Sequence, residues 1–421
     1  MLYNTNNILN GELSLGGDKS ISHRLLIVAA LLKGESVVKN ISLCDDVQST
    51  IECLRKCNVD ININNDIARV SGGLLKNPEN YLNCRNSGTT ARLLIGLFVG
   101  QDIKATLIGD RSLNKRPMRR IINPLIEAGA DIISKEKTLP ITIVSGIKKS
   151  FIYKNKTKSA QVKSALMLSS LESDNITHIS YNLSTRNHLE KILEYLNFDI
   201  TINSNINIKK TCQNKNNFKL FVPGDISNAS FLIASALITP YSEIKIKNIL
   251  YNKTRCGFIK VLLKMGANLK IENIRSKKYE EVCDIIVKYT SDLKGIYIKG
   301  DEIIEVIDEI PALSIVATQV NGEVQIMDAA ELRLKESDRI HAICKNLVNF
   351  GADVIENSDG FAIKGGSKLY SASINHFNDH RIAMAFEILQ LLVTGKMTYG
   401  FNECIKVSFP EFYSSIDKLL S

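Results

Sequence analysis

Four short segments place cations where a helix would not choose them. Asp18-Lys19-Ser20-Ile21-Ser22-His23-Arg24 leads into the apolar run LLIVAALLKG, and Asn86-Ser87-Gly88-Thr89-Thr90-Ala91-Arg92 leads into LLIGLFVG. Lys335-Glu336-Ser337-Asp338-Arg339 precedes an IxxI pattern, and Asn378-Asp379-His380-Arg381 precedes IAMAFEIL. In each, a residue suited to cap a helix stands beside Lys or Arg in or near the first turn. A helix N-terminus carries partial positive charge, so a cation there is unfavourable by roughly a few tenths of a kcal/mol or more. A bound phosphate or carboxylate offsets that mismatch, because backbone N–H groups and guanidinium forks both prefer such anions. The bland alternative for any one arginine is that it reaches solvent or pairs with Asp338 or Asp379. Gly88 sides with the anion, since a glycine between two hydroxyl residues lets a ligand approach the backbone closely.

Other chemistries lack their residues. No GxxxxGK[ST] is present and no GxGxxG follows a strand-like run, which removes the main support for nucleotide- or NAD-dependent reactions. The nine cysteines are scattered over a long chain and read as free thiols in a reducing compartment. Cys53 and Cys57 lie one helical turn apart, but no second Cys or His pair completes a metal site, and the six histidines have no ligand spacing. Neither a metal nor a disulfide framework is expected.

The elements that must position these groups fill 421 residues, enough for two or more domains, with 44% hydrophobic and 23% charged residues as in ordinary globular proteins. The N-terminus has no basic segment followed by an apolar one, and no apolar run approaches the roughly 20 residues that span a bilayer. A soluble, cytoplasmic protein with no membrane partner is expected. The net charge of +9 would suit nucleic acid, but the basic residues form no stripe and are not interleaved with aromatics. Lys148-Lys149 and Lys154 to Lys158 read as solvated loops. A preference for small anions is what remains.

An internal repeat organises the chain. Five times an apolar helix-like run stops at Gly or Asn and re-enters as a strand: LRKCNVDINI, LIEAGADIIS, LEYLNFDITI, LLKMGANLKI and LVNFGADVIE. The stop residues Asn58, Gly129, Asn197, Gly266 and Gly351 recur about every 70 residues. Gly or Asn at that point predicts a left-handed helix cap. Six such units would fill the chain. The last lacks a return strand, which the N-terminal segment near Ile8–Leu15 is expected to supply, so that the chain starts in the domain where it finishes.

With these segments laid out, the chain resembles the 5-enolpyruvylshikimate-3-phosphate synthase family. The matching motifs are GDKSISHR (17–24), NSGTTAR (86–92), GDRSLNKRPMRR (109–120), SAQVKSALML (159–168), PGDISNASF (223–231), IDEIPALSIVA (307–317), ELRLKESDR (331–339), NDHRIAM (378–384) and KVSFPEF (406–412). They run in the family's order over nearly the whole chain, and several look like its second sequence class. The resemblance implies an α/β fold of two similar globular domains, each of three βαβαββ-like units, in the inside-out α/β barrel of the enolpyruvyl transferase type. It implies one domain from residues 1–14 plus 226–421, a second from 15–225, and an active site in the cleft between them that closes around substrates. A monomer is expected.

The implied reaction transfers the enolpyruvyl group of phosphoenolpyruvate to the 5-hydroxyl of shikimate 3-phosphate and releases phosphate, by addition and elimination, with neither metal nor organic cofactor. Carried over position by position, Lys19 would touch both substrates, and Ser20 and Arg24 would hold the shikimate carboxylate. Ser159, the backbone of Ala160, Gln161 and Arg186 would surround shikimate 3-phosphate, with Lys335 on its phosphate; STRNH around Arg186 only partly matches the family's segment. The backbone near Gly88, with Arg116, Gln161, Arg339, Arg381 and Lys406, would bind phosphoenolpyruvate. Asp308 would accept the proton of the attacking hydroxyl, and Glu336, 28 residues further on, would exchange protons at the phosphoenolpyruvate methylene.

Two relatives of that fold compete, along with a non-catalytic anion-binding relative. UDP-N-acetylglucosamine enolpyruvyl transferase usually carries a reactive Cys five residues before the Arg-Pro; here Arg111 holds that position and Gly109–Pro117 contains no Cys. RNA 3′-phosphate cyclisation would need a catalytic histidine near the C-terminus, and His380 belongs instead to NDHR. Gly88 further implies sensitivity to glyphosate, although Leu93 stands where many sensitive members have Pro. Shikimate 3-phosphate is expected to drive closure.

Overall fold

A computed structural model of the chain describes residues 8–147, 149–154, 159–180, 185–211 and 217–420. In chain order its helices are α1 (Lys19–Leu31), α2 (Asp45–Lys56), α3 (Gly88–Gln101), α4 (Arg119–Glu127), α5 (Ala160–Ser169), α6 (His188–Tyr195) and α7 (Ile226–Ile238). They continue with α8 (Gly257–Lys264), α9 (Asp301–Val306), α10 (Ile310–Ala317), α11 (Arg339–Asn349), α12 (His380–Thr394), α13 (Asn402–Ile405) and α14 (Phe412–Leu419).

The five stop residues do as their types predict. Asn58, Gly129, Asn197, Gly266 and Gly351 all have positive φ, between 55° and 104°. Each donates its N–H to a carbonyl three residues back, and the next residue donates to the carbonyl five back, as in Asn58 to Arg55 (3.1 Å) and Val59 to Leu54 (3.2 Å). This Schellman closure satisfies carbonyls that would otherwise be orphaned as α2, α4, α6, α8 and α11 end.

After each closure the chain returns as an edge strand, and the five sheets share one arrangement. Two neighbouring strands run parallel, and the next two are antiparallel. Leu82–Asn83, Ala105–Ile108, Ile141–Ser145 and Asp131–Ser134 form one, in spatial order. Ile152–Lys154, Thr177–Ser180, Asn205–Ile208 and Ile200–Ile202 form another, and Lys294–Ile298, Asn321–Ile326, Gly360–Lys364 and Asp353–Asn357 a third. The remaining two exchange their first strand. Lys219–Phe221 lies parallel to Gly34–Lys39, beside Ile67–Gly72 and Asp60–Asn64, while Asn10–Ser14 lies parallel to Glu243–Leu250, beside Glu280–Lys288 and Leu269–Lys277.

Two expectations need correction here. The N-terminal strand completes the sheet of Glu243–Leu250 and not the last unit, to which Leu9 adds an isolated antiparallel bridge with Leu420. The strand that precedes α7 in sequence already belongs to the Gly34–Lys39 sheet, so a parallel neighbour for Glu243–Leu250 has to come from elsewhere, and Asn10–Ser14 supplies it. Nor does the sixth unit build a four-stranded sheet among the described residues: beyond Gly366 they form α12, α13 and α14 joined by irregular segments. Among the lysine-rich loops, Lys149 is exposed, but Lys154 ends a strand; residues 148 and 155–158 lie outside the described residues, as does Cys212.

The chain divides into two compact units. One takes the N-terminal stretch through Gly16 together with Pro223–Ser421, and the other Gly17–Val222. Each has buried helices at its centre. In the second unit α3 packs on α5, and the approach is close enough that a Cβ on Gly96 would lie 2.1 Å from the Ala165 carbonyl oxygen, so only glycine fits. In the first, α7, α10 and α12 pack on one another, and every residue of α7 and α10 is buried. Among the described residues no helix is long and apolar enough to cross a membrane.

Candidate active site

In the unit Gly17–Val222 the contacts 96-to-165 and 100-to-169 set α3 and α5 side by side in the same direction, which brings their first turns together. Gln161 donates to Thr89 Oγ1 (2.9 Å) and accepts from Arg92 Nη1 (2.8 Å). Ser159 caps α5 through the N–H of Val162, and Ser87 caps α3 through that of Thr90, so the peptide groups of Ala160 and Gly88 open their helices. A Cβ on Gly88 would lie 2.6 Å from Arg92 Nη1 and 3.4 Å from Arg116 Nη1. Two guanidinium groups therefore face a bare backbone at a helix N-terminus, an arrangement made for an anion.

Helix α1 joins the same set. Asp18 caps it, accepting from the N–H of Ile21. Arg24, only 3% exposed, donates to the Ser20 carbonyl (2.8 Å) and to Ser164 Oγ on α5 (2.9 Å). Arg186 reaches Ser20 Oγ (3.4 Å), Arg116 donates to Asn86 Oδ1 (2.6 Å), and Lys19 pairs with Asp46 at 2.8 Å. Behind them Lys163 on α5 and Glu190 on α6 form a buried ion pair at 2.5 Å. Burial holds Lys163 below its ordinary pKa despite Glu190. Lys19, Arg24, Arg92, Arg116 and Arg186 thus stand together at the first turns of α1, α3 and α5 and the segments beside them, with Asp46 on Lys19. Such a concentration of positive charge with limited solvent suits a polyanion.

The other unit, from Pro223 onward, builds something different around one guanidinium. Arg339, 1% exposed, donates to Asp379 (2.8 and 3.2 Å) and Glu336 (2.7 Å) and lies 3.7 Å from Asp308. Lys335 stands 3.3 Å from the same Asp308 oxygen, and Arg381 donates to the Asp308 backbone carbonyl at 2.7 Å. Asp379 also caps α12 through the N–H of Arg381 and accepts from Ser337 Oγ. Burial works against the Asp379 carboxylate, yet Arg339 more than reverses it and keeps Asp379 below the usual carboxylate range. Burial likewise opposes the Arg339 charge, and Asp379, Glu336 and Asp308 together hold its pKa above the ordinary value. Here three cations meet three carboxylates, two of which, Asp308 and Glu336, keep partial exposure (17% and 24% of the side chain). A carboxylate fixed by cations and still reachable can move protons.

Most residues named from the sequence fall into these two sets. Lys406, about half exposed just after α13, pairs with Glu403 at 2.7 Å. Of the cations at the helix starts, Arg24, Arg339 and Arg381 are buried and Lys19, Arg92 and Lys335 half-buried, and Arg339 does pair with Asp379. Two participants were not picked out. Asp46 sits in an acidic first turn of α2, where acids stabilise any helix, so nothing local marked it. Arg92 was visible as one of the cations at helix starts, but only its bond to Gln161 gives it a place.

The sequence profile of the family described as EPSP synthase (3-phosphoshikimate 1-carboxyvinyltransferase) matches residues 3–416. Proteins named 3-phosphoshikimate 1-carboxyvinyltransferase from Persephonella marina and Thermodesulfovibrio yellowstonii are 41% and 42% identical to this chain. The alignments cover 98% of it, and 98% and 97% of those proteins. A solved EPSP synthase from Acinetobacter baumannii shares 33% identity with a TM-score of 0.87, over 100% of this chain and 97% of that one. The enolpyruvyl transferase NikO from Streptomyces tendae, 12% identical with a TM-score of 0.78 over 100% and 97% of the two chains, shares the fold.

Proposed function

The chain belongs to the EPSP synthase family, and from that premise we propose that it transfers the enolpyruvyl group of phosphoenolpyruvate to the 5-hydroxyl of shikimate 3-phosphate, releasing phosphate. The reaction serves the shikimate pathway. The observation that carries this reading is the assembly of Asp308, Glu336 and Lys335 around the Arg339 guanidinium.

The roles divide between the two units. Ser20, Arg24, Ser159, the backbone of Ala160, Gln161 and Arg186 hold shikimate 3-phosphate, with Lys335 on its phosphate. The backbone at Gly88, with Arg116, Gln161, Arg339, Arg381 and Lys406, holds phosphoenolpyruvate. Lys19 serves both. Asp308 takes the proton of the attacking hydroxyl, and Glu336 exchanges protons at the methylene carbon. As charge shifts from the breaking C–O bond to phosphate, prepositioned guanidinium groups stabilise it without reorganising. The reading includes a cytoplasmic monomer.

Phosphate release tests it. Release with phosphoenolpyruvate and shikimate 3-phosphate, and none with UDP-N-acetylglucosamine as acceptor, is the expected result; silence with both from folded protein would overturn it. The absence of Cys from Gly109–Pro117 supports the shikimate acceptor.

Gly88→Ala should separate substrate from inhibitor. The new methyl would displace the end of Arg92 and loosen its bond to Gln161. Glyphosate inhibition is expected in the parent protein and about tenfold weaker in the variant, a change of ~1.4 kcal/mol, as read from inhibition constants against phosphoenolpyruvate. A parent constant in the millimolar range, or equal constants in both, would defeat the expectation.

A further inference from the structure

Beneath the cationic set runs a buried line of hydroxyl groups that none of the assigned roles uses. His23 on α1 places its Nδ1 2.7 Å from Thr50 Oγ1 on α2, and Thr50 Oγ1 lies 2.8 Å from Thr90 Oγ1 on α3. Thr90 Oγ1 then meets the Asp46 backbone carbonyl (3.1 Å) and Ser87 Oγ (2.8 Å). His23, Thr50 and Thr90 are fully buried, and Ser87 is 1% exposed.

Counting protons gives the line a direction. A hydroxyl has one proton to donate, and a carbonyl only accepts. Thr90 has its one hydroxyl proton directed at the Asp46 carbonyl or at Ser87 Oγ, so Thr50 donates to Thr90 and must then accept from His23 Nδ1–H. Every proton in the line is then used. The opposite tautomer would leave an N–H at Nε2, which is buried and meets no hydrogen-bonding partner among the described residues. Burial, together with Lys19 and Arg24, keeps His23 well below its usual pKa, so the ring stays neutral. The tautomer follows from the network.

We infer that His23, Thr50 and Thr90 are positioning residues for the transfer: their relay fixes the N-terminus of α3, where Gly88 opens the helix, against the turn whose Asp46 side chain holds Lys19. The inference rests on the function proposed above. It joins three helices beside Gly88 and Lys19, and a shift of either end misplaces a backbone N–H or an ammonium group.

Thr50→Val replaces the hydroxyl with a methyl at nearly constant volume, and Thr50→Ser keeps the hydroxyl. Leaving the His23 N–H without an acceptor should raise the KM for phosphoenolpyruvate about tenfold, within the range of a lost buried hydrogen bond, while the KM for shikimate 3-phosphate stays within about threefold. Thr50→Ser should restore it. A purely structural role would lower the melting temperature and leave both KM values alone. An unchanged KM in Thr50→Val, or no rescue by Ser, overturns the relay; should Thr50→Val not fold, His23→Phe is read in the same way. Nitrogen-15 NMR of the wild-type histidines supplies an arm independent of activity. The expected result is a neutral Nδ1–H ring for His23 at neutral pH, and an Nε2–H tautomer overturns the relay. Wild-type protein that releases no phosphate fails the functional reading instead, so the two failures are told apart.

Discussion

Glu336→Gln is expected to reduce phosphate release at saturating substrates by at least about 10²-fold, the usual scale for an acid–base residue, while the protein keeps its fold. The amide fills the same volume and still accepts a hydrogen bond from Arg339 Nη2, which now reaches Glu336 at 2.7 Å. Arg339 stays in place because Asp379 grips it with two bonds, at 2.8 and 3.2 Å. What the amide cannot do is take up and return a proton. The loss should therefore fall on kcat, with KM values little altered, and solvent deuterium should no longer enter the phosphoenolpyruvate methylene. A folded variant with near-normal turnover would remove Glu336 from the proton chemistry.

Lys19→Met is the second large effect, and it should have a different signature. Lys19 is 16% exposed on its side chain and pairs with Asp46 at 2.8 Å. Methionine matches much of its length without the charge, so kcat/KM for both substrates should fall at least about 10²-fold, with both KM values raised. Asp46 loses its cation, which should destabilise the unit by about 1–3 kcal/mol, visible in thermal unfolding without preventing folding. A variant whose KM rises for one substrate alone would show that Lys19 does not stand between them.

Local chemistry made much of this legible. A stop residue such as Asn197 announces itself, because the cap that requires positive φ is closed by carbonyls within five residues of it. The cap residues Asp18, Ser87, Asp338 and Asp379 were equally plain. Long-range partners were not. A lysine in the middle of SAQVKSALML looks like an exposed helix position, and only the packing of α6 against it reveals the buried pair with Glu190. Asp46 resembled any acid in a first turn until Lys19 was seen against it. Asn10–Ser14 was recognisable as a strand, but its neighbour is 233 residues away in the chain (Leu9 donating to Ser242 Oγ), and no local pattern encodes that choice. The irregular segments around α12–α14 carry too few alternating apolar residues for their course to be read.

The exchanged strands also impose an order in time. During synthesis the first residues to emerge belong to a sheet whose other strands have not yet been made. At about 5–20 residues per second, the 233 residues between Leu9 and Ser242 represent roughly 12 to 47 seconds in which the N-terminal strand has no ladder to join. The Gly34–Lys39 strand waits almost as long for Lys219–Phe221. The first-unit sheet is therefore finished only after Lys288 and the Gly34–Lys39 sheet only after Phe221, and a nascent chain halted before those points would carry open strand edges that the finished protein covers.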